Sequence, residues 1–183
     1  AAIGDVRDPA LKPDALQPSE PTFQRAFDSA VVGFALTAPD GHFIRLNPAF
    51  CSLLGYTDAQ LASGTFMKIT HPDDVALSQL QMERLVSGMV DAVQFEKRYI
   101  HQDGHIVWVQ LTASLVRDSQ GCALYTTTQL LDISARKIAE EALRRSETRL
   151  RDFVEAMPVG AILTTPDGEV LMSNRAVADM LGY

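Results

Sequence analysis

The side chains whose types could do chemistry here are four histidines, two cysteines, the adjacent aspartates Asp73 and Asp74, and the adjacent cations Lys97 and Arg98. Cys51 and Cys122 stand far apart, with no CxxC and no nearby histidine pair, so they support neither a disulfide framework nor a thiolate metal site. Both read as buried or half-buried thiols. His42, His101 and His105 fall in or beside turns, and His71 opens a His-Pro-Asp-Asp stretch suited to the first turn of a helix. Asp73 and Asp74 are explained there by capping and the helix dipole rather than by acid–base work. Lys97 and Arg98 are neighbours on a strand, where one of the two must point outward, and they read as a solvated face. No nucleophile-elbow, metal or phosphate-loop spacing occurs, so the sequence names no catalytic residue and no metal ligand. These residues do not describe an enzyme.

The remaining question is which elements position these groups. With 183 residues, 46% of them hydrophobic and 21% charged, the chain has room for one ordinary domain and a remainder, or for two very small domains. A net charge of −7 argues against a nucleic-acid surface, which needs clustered positive charge. No apolar run approaches the ~20 residues of a membrane span, so no membrane contact is expected and the expected location is the cytoplasm. Residues 1–21 are polar, proline-rich and lack an initiator Met, unlike a signal peptide or a natural start. Residues 1–18 are expected to be flexible, and the polypeptide to be a piece of something longer.

Internal self-similarity organises the rest. Phe27–Tyr56 lies over Val154–Tyr183 without a gap at an offset of 127, with 12 of 30 positions identical. Each copy reads as a strand, a tight turn at Pro-Asp-Gly, a second strand, and a helix capped by Asn and ended by Gly. In the first copy these are Phe34–Thr37, His42–Leu46 and a helix with Pro48 at its first position. Short helical turns follow over Thr57–Ile69, then a longer helix carrying Val75, Leu80, Leu85 and Val86. Three strands, 93–101, 106–116 and 122–131, are joined by turns at Asp103-Gly104 and Asp118–Gly121 and form an antiparallel meander.

Taken in order, these words resemble the PAS family with its C-terminal PAC stretch. The residues that carry the resemblance are Asp40-Gly41, Asn47, Phe50, Leu54-Gly55-Tyr56, His71-Pro72-Asp73-Asp74 and Phe95-Glu96-Lys97-Arg98-Tyr99. They continue through Asp103-Gly104, Val107-Trp108-Val109, Arg117-Asp118, Gly121 and Asp132-Ile133-Ser134 with Arg136-Lys137. The resemblance implies an α+β PAS fold, a five-stranded antiparallel sheet with helices on one face, followed by a long signalling helix. It divides the chain into a PAS/PAC domain over 19–133, a linker helix over 134–157 and the start of a second PAS domain over 158–183. The implied function is a sensory or dimerisation module of a multidomain bacterial-type signal-transduction protein. Its downstream output would be a histidine kinase, a diguanylate cyclase or a phosphodiesterase. The family's Asp-Ile-Thr appears here as Asp132-Ile133-Ser134, which with Arg136 are the implied relay residues. Ser134 keeps a hydroxyl able to cap the next helix, and an ordinary cap without a signalling role is the alternative.

From Ser134 to Met157 the sequence has neither Gly nor interior Pro. Ala139, Leu143, Ser146, Leu150, Phe153 and Met157 follow a four–three heptad spacing with charged residues outside it. A parallel homodimer through Leu143, Leu150 and Phe153 is expected; the alternative is a helix packed on its own domain. In the second copy, Ile162, Leu163, Val170, Leu171, Val177 and Leu181 have no partner elements to cover them. That stretch is expected to be disordered or to pack on a neighbouring chain.

The resemblance also implies a small cavity between the inner sheet face and the helices. Placing Val109 at the family's inward position and counting in twos gives Phe95, Tyr99, Val109, Leu111, Thr126 and Leu130 on the sheet side. Phe50, Leu54, Phe66, Ile69, Leu80 and Leu85 are the helix-side candidates. So apolar a set is either a filled core or a pocket for a small apolar ligand. Flavin-binding relatives need Asn-Cys-Arg-Phe-Leu-Gln after the Gly-Tyr, where this chain has Thr65–Thr70 without a Cys. Haem-binding relatives place an axial His on the long helix, and residues 75–87 contain none, leaving only Met82 or an unusual His. No haem, flavin or other cofactor is expected.

Overall fold

The structure is a computed structural model that describes residues 20–182. The segment 1–18 and Tyr183 lie outside the described residues. The chain divides into two compact units that meet between Ile133 and Ser134.

In the first unit, alternation of side chains makes strands and glycines close the turns. Strands β1 (Gly33–Thr37) and β2 (Phe43–Leu46) form a hairpin whose turn ends at Gly41, at φ 91, a conformation that a Cβ would strain. Asn47 then caps α2 (Pro48–Leu54), and Gly55, at φ 75, ends it. Next come α3 (Asp58–Leu61), started by a Thr57/Gln60 capping box, and a 3-10 turn (Phe66–Ile69). They lead to α4 (Pro72–Val86), and β3 (Ala92–Ile100), β4 (Ile106–Arg117) and β5 (Ala123–Asp132) complete the sheet. All five strands are antiparallel, in the order β2-β1-β5-β4-β3, so β1 joins the first hairpin to the meander.

One face of this sheet buries Ala35, Thr37, Val93, Tyr99, Val107, Val109, Leu111, Ala113, Thr126, Thr128 and Leu130. Phe50 and Leu54 from α2, Leu61 from α3, Phe66 and Ile69 from the 3-10 turn, and Leu85 from α4 pack onto it as one apolar core. A helix the sequence did not foretell, α1 (Glu20–Ser29), precedes β1. Its Phe27 is buried and lies 6.1 Å, ring to ring, from Phe34, whose side chain alternates to the opposite sheet face.

A single polar side chain ties these elements together. Asn47 is fully buried, and its Oδ1 accepts from the backbone N–H of Phe34 at 2.8 Å and of Phe50 at 2.9 Å. Its Nδ2 reaches the carbonyls of Val32 at 2.9 Å, Phe27 at 3.2 Å and Ala30 at 3.5 Å. One amide therefore satisfies the end of α1, the entry to β1 and the first turn of α2.

The second unit comprises α5 (Ser134–Glu155), β6 (Ile162–Thr164), β7 (Val170–Ser173) and α6 (Arg175–Leu181). Asn174 repeats the tie at the offset seen in the sequence. It accepts from Ala161 N–H at 2.9 Å and Val177 N–H at 3.3 Å, and donates to Val154, Met157 and Val159 carbonyls at 3.1, 3.3 and 2.9 Å. The apolar side chains of Ile162, Leu163, Val170, Leu171 and Leu181 nevertheless remain exposed, so this unit has the polar tie without the burial. Among the described residues no helix is long and apolar enough to cross a membrane.

Replacing Asn47 by Ala strands two buried N–H groups and their carbonyl counterparts at once. The Asn47→Ala variant is expected to lose about 3 kcal/mol or more of stability in urea unfolding. A loss below about 1 kcal/mol would show that other groups satisfy these atoms.

Candidate functional site

The candidate site is the cavity that the core leaves between β3, β4 and α4. Period two on β3 sends Phe95, Lys97 and Tyr99 inward, and the 3.6-residue period of α4 presents Ser78, Gln81, Met82 and Leu85 to them. Phe43, Phe50, Phe66 and Leu111 close the walls, with the hydroxyls of Thr37 and Thr128 among them. The cavity measures about 40 Å³. One water needs roughly 10–15 Å³ and a drug-sized ligand several hundred, so only a few heavy atoms fit.

Six of the twelve anticipated lining residues surround this space: Phe50, Phe66, Leu85, Phe95, Tyr99 and Leu111. Leu54, Ile69, Val109, Leu130 and Thr126 are buried in the surrounding core, where Thr126 Oγ1 donates to the Thr37 carbonyl at 3.2 Å. Leu80 is a correction: it is 51% exposed. It lies two residues from inward Ser78, about 200° around the helix, and so faces away.

Lys97 is the larger correction. It does not lie on a solvated face but is 1% exposed, with Nζ donating to Thr70 Oγ1 at 3.2 Å and Ser78 Oγ at 3.3 Å. Both hydroxyls spend their own protons elsewhere, Thr70 on the Phe66 carbonyl and Ser78 on the Asp74 carbonyl, each at 2.8 Å. They therefore meet Nζ as acceptors. The ammonium also lies 4.2 Å from the Tyr99 ring centroid and 5.0 Å from that of Phe66. Among the described residues no carboxylate is within ion-pair reach of it. Asp74 is engaged instead by Arg98, which holds it through Nη2 at 2.6 Å, Nε at 3.0 Å and the backbone N–H at 2.8 Å. That pairing keeps Asp74 below the usual carboxylate range. Burial brings the Lys97 ammonium down to about 7, with the Asp74 charge only partly opposing the fall. The signal was in the sequence: the alternation that turns Phe95 and Tyr99 inward turns Lys97 inward as well.

Asp73 and Asp74 sit in the first turn of α4 as the capping argument requires, and both also reach across to Arg98 on β3. Cys51 is half-buried, with burial raising its thiol, whereas Cys122 is exposed because it follows Gly121 in the turn before β5. The turn between β3 and β4 gathers His101, Asp103 and His105, whose candidate ligand atoms lie within 4.8 Å of one another. No metal site was foreseen there. Asp103 Oδ1 accepts from the His105 backbone N–H at 3.2 Å and lies 2.9 Å and 2.6 Å from the two Nδ1 atoms. Those hydrogen bonds hold Asp103 down to about 2.

On α5 no side chain is buried, and Leu143, Leu150 and Phe153 stand open to solvent. Ion pairs join Arg136 to Glu140 at 2.8 Å, and Arg144 and Arg145 to Glu141 at 2.8 and 2.7 Å, all along the helix itself. Of the anticipated relay residues, Asp132 ends β5 in the first unit, while Ser134 opens α5 and Arg136 follows in the second.

Comparison with known proteins gives two matches to family descriptions, "PAS fold" over residues 43–128 and "PAS domain" over residues 148–183. A probable diguanylate cyclase of Escherichia coli K12, DgcE, is 34% identical over 142 residues, 78% of this chain and 13% of that protein. The sensor histidine kinase TmoS of Ectopseudomonas mendocina is 24% identical over 146 residues, 80% of this chain and 15% of that protein. This chain thus spans a small part of either relative. Among solved structures, a PAS domain from Colwellia psychrerythraea superposes with a TM-score of 0.58 at 21% identity. The match covers 63% of this chain and 97% of that one.

Lys97 makes stability depend on pH. An unfolded lysine titrates near 10.4 and the folded one at about 7, so between these values the unfolded chain binds more protons. Stability should therefore rise as pH increases through that window, the burial penalty being fully present below pH 7. Lys97→Met is expected to be more stable than the parent at pH 6, by about 1–4 kcal/mol, and to flatten the rise. Denaturant midpoints across the window test this, and a parent protein without the rise would contradict it.

Proposed function

The chain belongs to the PAS family, and we propose that it works as a cytoplasmic sensory and dimerisation module. In this reading it passes a signal through α5 toward an output domain in a longer protein. The observation that carries the reading is the open apolar seam of α5, where Leu143, Leu150 and Phe153 recur at heptad spacing between charged flanks. The occupant of that seam is the same helix of a second copy. Two parallel α5 helices bury the leucines against each other and leave the Glu140–Arg136 and Glu141–Arg144 pairs outside.

The far end of α5 is not free. Its Val154 carbonyl is held by Asn174, which also holds the first residues leading to β6 and the first turn of α6. A rotation or sliding of the paired helices therefore strains a buried hydrogen-bond set directly. Asp132, Ser134 and Arg136, flanking the start of α5, are the residues through which the first domain would bias it. Catalysis belongs to the output domain, and the diguanylate cyclase and sensor histidine kinase among the relatives support an output of one of those kinds; a phosphodiesterase is a third such output. Haem and flavin have no part in this reading, since α4 carries no histidine and the cavity holds about 40 Å³.

A second reading, in which the cavity itself senses a small molecule, is favoured by one observation: a buried lysine amine, Lys97, lines it.

Sedimentation velocity tests the first reading. The parent chain is expected to be a dimer, and L143D/L150D a folded monomer with unchanged circular dichroism in its strand region. A dimer unaffected by the double substitution, or a parent that stays monomeric at every concentration, would remove α5 from this role.

A further inference from the structure

Lys97 has a hydrogen-bonding arrangement that leaves one direction unspent. The Thr70 and Ser78 hydroxyl oxygens accept two of its N–H bonds, and both hydroxyls have already committed their protons to backbone carbonyls. A neutral amine would be complete with these two and would turn its lone pair to the remaining side. An ammonium turns a third N–H there, and beyond the partly opposing charge of Asp74 its compensation is the faces of Tyr99 and Phe66. Ring faces attract a cation but do not neutralise it. The nearest acid, Asp74, has its oxygens taken by Arg98. The charged form is thus left with a third donor beside the small, mostly apolar space that Lys97 lines, and without an ion-paired carboxylate.

We propose that Lys97 makes this cavity a receptor for a small monovalent oxyanion, of the size and charge of formate or nitrite. The inference rests on the second reading above and names the chemistry of its ligand. The volume of about 40 Å³ admits roughly three heavy atoms, which excludes amino acids, dicarboxylates and nucleotides. A single uncompensated positive charge selects one negative charge. Lys97 is buried beside the Phe50, Phe66 and Tyr99 rings, so the ion pair forms in a setting of lower dielectric than water, where it is strengthened. A neutral apolar guest would leave the ammonium as uncompensated as before.

Such an anion binds the ammonium and not the amine, so binding and protonation are linked. The titratable groups facing Lys97 are Tyr99 on its own strand, held neutral by burial, and Asp74 from α4, held ionised by Arg98. His71 and Asp73 at the head of α4 lie farther out, where His71 Nδ1 accepts from the Asp73 N–H at 3.3 Å.

The experiment titrates the full chain with sodium formate and with sodium nitrite, using sodium gluconate, too large for the cavity, at matched ionic strength. Heat on binding and the NMR titration of the Lys97 side chain are read at pH 6 and pH 8. Formate is expected to shift the Lys97 midpoint upward, with apparent affinity falling about tenfold from pH 6 to pH 8. Lys97→Met should abolish the response while remaining folded, and Ser78→Ala should weaken it with Lys97 still present. Gluconate matching formate, or a response undiminished in Lys97→Met, would overturn the proposal. The L143D/L150D variant should bind formate as the parent does, which keeps this outcome separate from the fate of the α5 relay.

Discussion

The fold depends on one buried amide. Asn47 fills every hydrogen-bonding site of its side chain with backbone groups from three segments that are not continuous in sequence. Removing water from those segments is costly unless each N–H and C=O finds a partner, and their geometry leaves room for no ladder there. The side chain takes the ladder's place. It also sets where α2 begins, and with it the height at which Phe50 and Leu54 enter the core. That the second unit rebuilds the same five contacts around Asn174 with most of its apolar side chains exposed shows that the tie is local. It needs a strand entry, a helix start and a preceding helix end, and no completed core.

Against that tie, the core of the first unit contains a deliberate expense. Burying Lys97 among aromatic rings works against stability, whereas a methionine of similar length would fit the same apolar walls. The local structure accommodates it by orienting two hydroxyls as acceptors, and by assigning the nearby Asp74 to Arg98 instead. Adjacent cations on one strand thereby do opposite things. Arg98 fastens the head of α4 to β3 from outside and rests over Trp108, and Lys97 brings a titratable amine into the interior.

Much of this could be read from the sequence because it is encoded by local rules. Gly41, Gly55 and Gly104 mark turns by the backbone conformations they allow, alternation marks the strands, and the gapless repeat singles out Asn47 and Asn174. What escaped did so for identifiable reasons. Lys97 was assigned by residue type, although its position between Phe95 and Tyr99 dictates an inward side chain. Leu80 was assigned inward for being apolar, although the period running from Leu85 back through Met82, Gln81 and Ser78 excludes it. The helix α1 has few apolar residues and is fixed by Phe27 packing on Phe34, a contact that no local pattern announces.

The repeat also relates two helices that differ greatly in length. At the offset of 127, residues 20–29 of α1 correspond to residues 147–156, the last turns of α5. The carbonyls of Phe27 and Val154 are then the same atom in two copies, each received by its own asparagine. By that correspondence the last turns of α5 stand to the second unit as α1 stands to the first. Such a part has a phase as well as a length. Each added or deleted residue would turn the Val154 carbonyl by about 100° relative to the start of the helix. Insertions of whole heptads nearly restore its bearing. Changes of seven residues are therefore the ones such a helix takes with least disturbance, as the teeth of one wheel confine the next.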